Sequence, residues 1–184
     1  MMKKITVNLV LALPLLYLII ELFIFKVNDP IKYIYTLTGV VATVVLFFSI
    51  IISMIKDKIN LIKYRKTVGL WGFIYAFLHT INFIVFDAQL NIEFVIDETL
   101  DKPFIYLGMI AMFILLFMAI TSTKKLFKRF KPYHRLVYVA LLLITIHFVM
   151  AQKSIELELF LYIGIILVIG YYKLLQTIVK NNKV

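Results

Sequence analysis

The chain has 184 residues, of which 63% are hydrophobic, and it carries a formal net charge of +10. This balance is typical of a protein that crosses a membrane several times, and it leaves too little chain for a separate soluble catalytic domain. The absence of cysteine excludes disulfides, iron–sulfur clusters, thiolate zinc sites and covalent c-type haem attachment. The basic residues stand in short loops beside apolar runs, which is a topology signal and argues against a nucleic-acid partner.

Six apolar segments predict an all-α, polytopic membrane helix bundle that forms one domain over residues 1–184. We expect transmembrane helices at residues 5–25, 31–55, 68–86, 104–121, 136–151 and 157–175. The fifth is the shortest, and Pro132 is well placed as its first helical residue. Lys3 and Lys4 precede the first helix and no small-x-small cleavage site follows, so we expect an uncleaved anchor. We find no internal repeat.

The basic residues predict the orientation of the bundle. Alternating the six spans places 16 of the 20 Lys and Arg residues on one side. By the positive-inside rule, both termini are expected to be cytoplasmic. The outer side holds four lysines, Lys26, Lys32, Lys102 and Lys153, and an acidic group in the third-to-fourth connection, Asp87, Glu93, Asp97, Glu98 and Asp101.

Two histidines lie deep in predicted spans at the same depth. His79 is 11 residues after Val68 and His147 is 11 residues after Leu136, the first residues of the third and fifth spans. Both spans run outward, so each side chain is roughly 16 Å from the inner end. A histidine in hydrocarbon is costly and marks a functional site by default, although hydrogen bonding between helices is the alternative. The matched pair favours a non-covalent b-type haem with two axial imidazoles, nearer the outer face.

Neighbours of the two histidines could form the walls of such a site. Small residues two turns below them, Gly72 and Ala140, could admit the edge of a flat macrocycle. Tyr75, Phe83 and Leu143 stand at helical spacing and could pack against it, although such a stripe is also typical of ordinary helix packing.

The third histidine, His134, supports several interpretations. It precedes His147 by 13 residues, which puts the two on different faces of a straight helix. The equivalent depth of the third span holds Arg65 and Lys66 rather than a histidine. His134 is therefore an interfacial residue of a basic cluster, a further haem ligand, or part of a quinone or flavin site. The cluster of residues 131–135 with Arg65 and Lys66 could bind haem propionates or anionic membrane lipid.

With these residues, the chain resembles the haem-binding membrane subunits of the MsrQ/YedZ family, within the ferric-reductase-like transmembrane superfamily. The matching stretches cover residues 64–148. They run from Arg65-Lys-Thr-Val-Gly-Leu-Trp-Gly to His79, then through Lys102-Pro-Phe-Ile with Gly108, Ala119-Ile-Thr-Ser and His134-Arg-Leu-Val-Tyr to His147. The run before His134 lacks the family's Leu-Gly and Trp, and Met-Ala-Gln-Lys follows Val149 where an aromatic residue is common.

The resemblance implies that His79 and His147 carry haem b, with His134 as a further candidate ligand and Arg65 and Arg135 as candidates for a propionate or inner-face site. It implies a multi-pass protein of the bacterial inner membrane that takes electrons from the quinone pool, or from a flavin such as FMN supplied with a cytosolic flavin reductase. Their acceptor would be a periplasmic, molybdenum-dependent methionine-sulfoxide reductase subunit that repairs oxidised proteins.

Three functions compete. The first is an electron-transfer subunit that performs no substrate chemistry by itself. The second is a ferric or metal reductase-like cytochrome, which would need a separate flavoprotein because the chain has no GxGxxG motif for a nicotinamide cofactor. The third is a non-redox transporter or structural membrane protein whose histidines are packing residues.

Overall fold

The computed structural model describes residues 4–56, 59–151, 164, 168 and 171. Within 4–56 and 59–151 there are seven α-helices and no β-strand, and the predicted all-α class is confirmed. The helices are α1 (Lys4–Ile20), α2 (Pro30–Met54), α3 (Arg65–Asn82), α4 (Ile92–Asp101), α5 (Pro103–Ile120), α6 (Lys124–Phe130) and α7 (Leu136–Ala151). The π-helical turns Glu21–Phe25 and Phe83–Asp87 extend α1 and α3, while 3-10 turns at Ile62–Tyr64 and Lys131–Arg135 precede α3 and α7.

Five segments of the described chain are long and apolar enough to cross a membrane. They are Lys4–Phe25, Pro30–Met54, Ile62–Asp87, Pro103–Ile120 and Lys124–Ala151. Each overlaps one of the first five predicted spans, because long apolar runs leave little choice but helix in hydrocarbon. The sixth predicted span, residues 157–175, lies outside the described residues except for three isolated positions.

Local signals set where these helices begin. Asp29 caps α2 by accepting a hydrogen bond of 3.0 Å from the Lys32 backbone N–H, and Pro30 follows as the first helical residue. Pro103 is likewise the first helical residue of α5, although no side chain caps that helix. Pro132 behaves differently from the prediction, since it lies in a 3-10 turn and α7 begins only at Leu136.

Two short helices were not predicted. α6 continues the fifth span on its basic side, and α4 lies in the acidic connection between α3 and α5. α4 is capped by the Asn91 side chain, which accepts a hydrogen bond of 3.2 Å from the Phe94 backbone N–H. Both segments are short and rich in charge, so neither contains the long apolar run that predicts a membrane span.

The tightest packing lies at one end of the bundle, which we call the basic end because it carries Arg65 and residues 124–135. The opposite end, with Asp87 and α4, is the acidic end. The larger buried cluster joins the second half of α2 to α5 and to the first half of α7, through Leu46, Phe47, Ile50, Met54, Leu115, Val137, Ala140 and Leu141. The helices pack densely at the basic end, whereas a space remains between them toward the acidic end.

Two hydrogen bonds attach α1 to α3. The Trp71 indole N–H donates to Asn8 Oδ1 at 2.9 Å, and the Tyr75 hydroxyl donates to the Leu11 carbonyl oxygen at 2.6 Å. Pro14 lies inside α1 and has no backbone N–H to donate to the Val10 carbonyl four residues earlier. The Tyr75 side chain is fully buried.

Candidate functional site

A cavity of about 920 Å³ lies between α2, α3, α5 and α7. This volume is near the upper end of the roughly 300–1,000 Å³ that small-molecule and cofactor sites occupy. His79 of α3 and His147 of α7 both line it. The helical bundle therefore brings together the two histidines that the sequence singled out, and it does so around a space large enough for a cofactor.

The two imidazole rings face each other across this cavity. Their centroids are 6.2 Å apart, and the ring planes are nearly perpendicular, at 87°. Two imidazoles that bind one metal from opposite sides, each through a metal–nitrogen bond of roughly 2 Å, hold their centroids roughly 6.3 Å apart. The observed separation matches that arrangement.

Each ring is oriented by a backbone carbonyl of a neighbouring helix. His79 Nδ1 lies 3.2 Å from the Tyr35 carbonyl oxygen of α2, and His147 Nδ1 lies 2.6 Å from the Phe104 carbonyl oxygen of α5. A carbonyl only accepts, so Nδ1 must carry the proton in both rings. Nε2 then holds a lone pair, and this tautomer is the one commonly found in metal-ligating histidines.

Two glycines let the rings approach those helices. A Cβ added at Gly39 of α2 would lie 3.1 Å from His79 Nδ1 and Cε1. A Cβ added at Gly108 of α5 would lie 2.9 Å from His147 Nδ1 and 3.0 Å from its Cε1. A Cβ at Gly108 would force the His147 imidazole to shift, and one at Gly39 would crowd the His79 imidazole by a few tenths of an ångström.

These contacts form two similar cradles, a name we use for the carbonyl and the glycine that hold one imidazole. In each, the glycine follows the carbonyl residue by four positions, Tyr35 to Gly39 and Phe104 to Gly108. This repeat does not stand out in the sequence, because an aromatic residue four positions before a glycine is too common a pattern to indicate one. Only the placement of both segments against a histidine identifies it.

The structure corrects the predicted walls of the site. Gly72 does not face the cavity, since a Cβ there would lie 2.8 Å from the Leu46 side chain, and this glycine instead permits close packing of α2 on α3. Ala140 belongs to the buried cluster at the basic end. Tyr75 points at α1, and Leu143 is also absent from the lining, whereas Phe83 does line the cavity.

The other predicted site residues lie elsewhere. His134, Arg65 and Arg135 do not line the cavity. They precede the histidine of their own span by 13, 14 and 12 residues, which separates them from it by roughly 18–21 Å along the helix. All three therefore lie toward the basic end of the bundle, away from His79 and His147.

His134 has a packing environment of its own. Its Nε2 lies 3.1 Å from Thr121 Oγ1, and its ring contacts Phe127 edge-on with centroids 4.7 Å apart. The Thr121 hydroxyl donates to the Phe117 carbonyl at 2.7 Å, so its oxygen is left to accept from His134 Nε2–H. This geometry fits the interpretation of His134 as an interfacial residue. The contact with Thr121 also engages His134 Nε2.

At the acidic end, Tyr35 connects the cavity to the surface. Its ring meets the His79 ring edge-on, with centroids 5.2 Å apart, and its hydroxyl donates to Asp87 Oδ2 at 2.6 Å. Lys102 and Glu98, which also line the cavity, form an ion pair. From the sequence, Asp87 and Glu98 are expected only as charges of a connecting loop, and no pattern singles out Tyr35.

The fold and this cavity define a multi-pass membrane helix bundle with two inward-facing histidines. Residues 56–145 match the family model described as ferric reductase like transmembrane component. The chain belongs to the family of MsrQ subunits, as the sequence resemblance predicted.

Similarity to curated relatives carries that assignment. The chain is 33% identical over 161 residues to the protein-methionine-sulfoxide reductase heme-binding subunit MsrQ of Brucella anthropi, which covers 84% of this chain and 73% of the relative. The proteins of the same name from Brucella ovis and Brucella canis are each 32% identical, with the same coverage. No solved structure matches the chain.

Proposed function

We propose that this protein is a membrane electron-transfer subunit that holds haem b between His79 and His147. The observation that carries the proposal is the pair of facing imidazoles, 6.2 Å apart between centroids, each with Nδ1 at a backbone carbonyl. The relatives' name, heme-binding subunit, supports the same cofactor. His79 and His147 would hold the haem, which would supply a one-electron carrier.

The donor set favours haem over a bare metal ion. Among the described residues, no group of three or more His, Cys, Asp or Glu side chains could hold a metal. A structural zinc site needs four ligands and a catalytic one needs three from the protein. Two imidazoles on opposite sides suit a metal whose other positions are already occupied by a macrocycle. The cavity has the volume for such a group.

We further propose that electrons cross from the cytoplasmic side of a bacterial inner membrane to its periplasmic side. The basic end would face the cytoplasm, because it carries most of the Lys and Arg residues. His79 lies three residues before the end of α3 and His147 four before the end of α7, which brings the site closer to the acidic, outer end. An electron that leaves the site would then have a shorter distance to the outer face than to the inner face.

The proposed donors are the quinone pool or a flavin such as FMN, acting at the basic end, where Arg65, His134 and Arg135 lie. The proposed acceptor is a periplasmic, molybdenum-dependent methionine-sulfoxide reductase that repairs oxidised proteins. Its support is the name of the relatives, which describes a subunit of a protein-methionine-sulfoxide reductase. The chain itself would not act on that substrate.

The test is an absorption spectrum of the purified protein, oxidised and reduced with dithionite, for the wild type and three variants. His79→Ala and His147→Ala should each lose the low-spin reduced α-band, because one axial ligand disappears. His134→Ala is the matched control and should keep it, since its ring lies outside the cavity. Wild-type spectra in both ligand variants would refute the proposal.

A further inference from the structure

The charged side chains that line the cavity are gathered at its acidic end. Its deep end, toward the basic end of the bundle, is formed by side chains such as Leu46 and Leu115. Its mouth carries all the Lys, Asp and Glu residues of the lining, which are Lys32, Asp87, Glu98 and Lys102. The cavity is thus apolar at one end and ionic at the other, and it would orient any ligand that has the same division.

The two lysines stand on opposite walls at matched depth. Lys32 of α2 is three residues before Tyr35, and Lys102 is two residues before Phe104 of α5. The backbone of each lysine is therefore within roughly 5 Å, along the chain, of the carbonyl that orients a histidine. Each cradle is preceded by a lysine on its outer side.

Two lysines face two carboxylates at the mouth, and one of the ammonium groups, that of Lys32, has no carboxylate partner among the described residues. Asp87 accepts a hydrogen bond from the Tyr35 hydroxyl. Lys102 is paired with Glu98, one helical turn earlier, and the two side chains are 49% and 24% exposed. Within the described residues, Lys32 makes no ion pair.

We propose that Lys32 and Lys102 bind the two propionate carboxylates of the haem, one from each wall. The inference rests on the proposed function, and it replaces Arg65 and Arg135 as the propionate site. Haem b has both carboxylates on one edge and is apolar on the opposite edge, so the ionic mouth and the deep apolar end match its two edges. A hydrogen bond from an ammonium group to a carboxylate is charge-assisted and roughly twice as strong as one between neutral groups.

Glu98 then competes with a haem propionate for the Lys102 ammonium group. When a propionate reaches Lys102, it takes the place of the Glu98 carboxylate or shares the ammonium group with it. Two carboxylates at one ammonium repel each other, so the negative charge of Glu98 should weaken haem retention. Glu98 and Phe94 both come from α4 and both line the cavity, which couples this short helix to occupancy of the site.

The experiment measures the rate at which haem leaves the purified full chain for an excess of an apoglobin scavenger. Lys32→Gln and Lys102→Gln should each speed up haem loss roughly three- to tenfold, as expected for partly exposed, charge-assisted contacts. Glu98→Gln should slow it. Lys26→Gln and Asp97→Asn are matched controls on the same side of the membrane, and neither residue lines the cavity.

A second probe separates carboxylate binding from a general loss of structure. Loaded with haem dimethyl ester, whose carboxylates are neutral, the wild type and the lysine variants should lose the cofactor at equal rates. Lys32→Arg and Lys102→Arg should restore most of the retention of free-acid haem.

The anchor proposal is refuted if the lysine variants match the wild type, or if they destabilise haem and its dimethyl ester equally. If the wild type binds haem with a bis-histidine spectrum and the lysine variants lose haem at the wild-type rate, the anchor proposal is refuted and the proposed function stands. A wild type that binds no haem would refute both.

Discussion

At the scale of single residues, the orientation of each histidine depends on a backbone carbonyl and on a glycine of the neighbouring helix. The carbonyls of Tyr35 and Phe104 fix which nitrogen of each histidine is protonated, and Gly39 and Gly108 make room for the rings. The two contacts differ in length, 3.2 Å at His79 and 2.6 Å at His147. The shorter contact sits against the tighter glycine, so the His147 cradle tolerates less change.

Adding a methyl group to either cradle should disturb the histidine in proportion to this crowding. Gly108→Ala should reduce the low-spin haem fraction more than Gly39→Ala, because its Cβ would lie 2.9 rather than 3.1 Å from the ring. Overpacking of this kind costs about 1–3 kcal/mol. The measurement is the α-band per mole of protein after haem titration.

Gly164→Ala is the control for that pair, because a Cβ at Gly164 would meet no atom of the described residues within 4 Å. If Gly108→Ala and Gly164→Ala titrate identically, the cradle has no part in positioning His147.

At the scale of helices, the bundle separates packing from binding along its length. The basic end is filled by apolar side chains of α2, α5 and α7, and α1 is held to α3 by hydrogen bonds from Trp71 and Tyr75. Hydrogen bonds between membrane helices contribute about 0.6 kcal/mol on average and seldom above about 1.7 kcal/mol. They position α1 without governing the cavity.

Tyr75→Phe tests this separation. The change removes only the hydroxyl that donates to the Leu11 carbonyl, so it should lower the unfolding free energy by about 0.5–1.5 kcal/mol. The haem α-band should stay at its wild-type position and height, because Tyr75 does not line the cavity. A shifted α-band at unchanged stability would restore the original interpretation of Tyr75 as a wall of the haem site.

At the scale of the whole molecule, the site lies near one surface of a bundle whose two ends differ in charge. The acidic end carries Asp87 and the exposed face of α4, with Glu93, Asp97 and Asp101 spaced by four residues on one side of the helix. This surface stands above the shorter route out of the cavity. It is the surface that we expect a soluble electron acceptor to approach.

Reoxidation of the haem distinguishes the proposed acceptor from the metal-reductase alternative. In membranes with pre-reduced haem, the α-band should fade only after both a purified methionine-sulfoxide reductase and a methionine-sulfoxide substrate are added. The partner without substrate, and substrate without partner, are the controls. If ferric chelate alone reoxidises the haem equally fast, and the partner does not change that rate, the metal-reductase function is favoured.

Much of this protein could be predicted from its sequence. Five predicted spans overlap the observed ones, because an apolar run of about 20 residues has few alternatives to a helix in hydrocarbon. The pairing of His79 with His147 followed from equal spacing on two helices that run in the same direction, since helical rise converts residue number into depth. Depth along the helix was therefore predictable.

Rotation about the helix was not predictable in the same way. Gly72 and Tyr75 share α3 with His79, yet one faces α2 and the other α1, and spacing in sequence does not say which neighbour lies on which side. The cradles come from α2 and α5, 44 and 43 residues away from the histidines that they hold. The sequence by itself determined the helices and the depth of the histidines. Only the packing of one helix against another decided which carbonyl, which glycine and which lysine surround them.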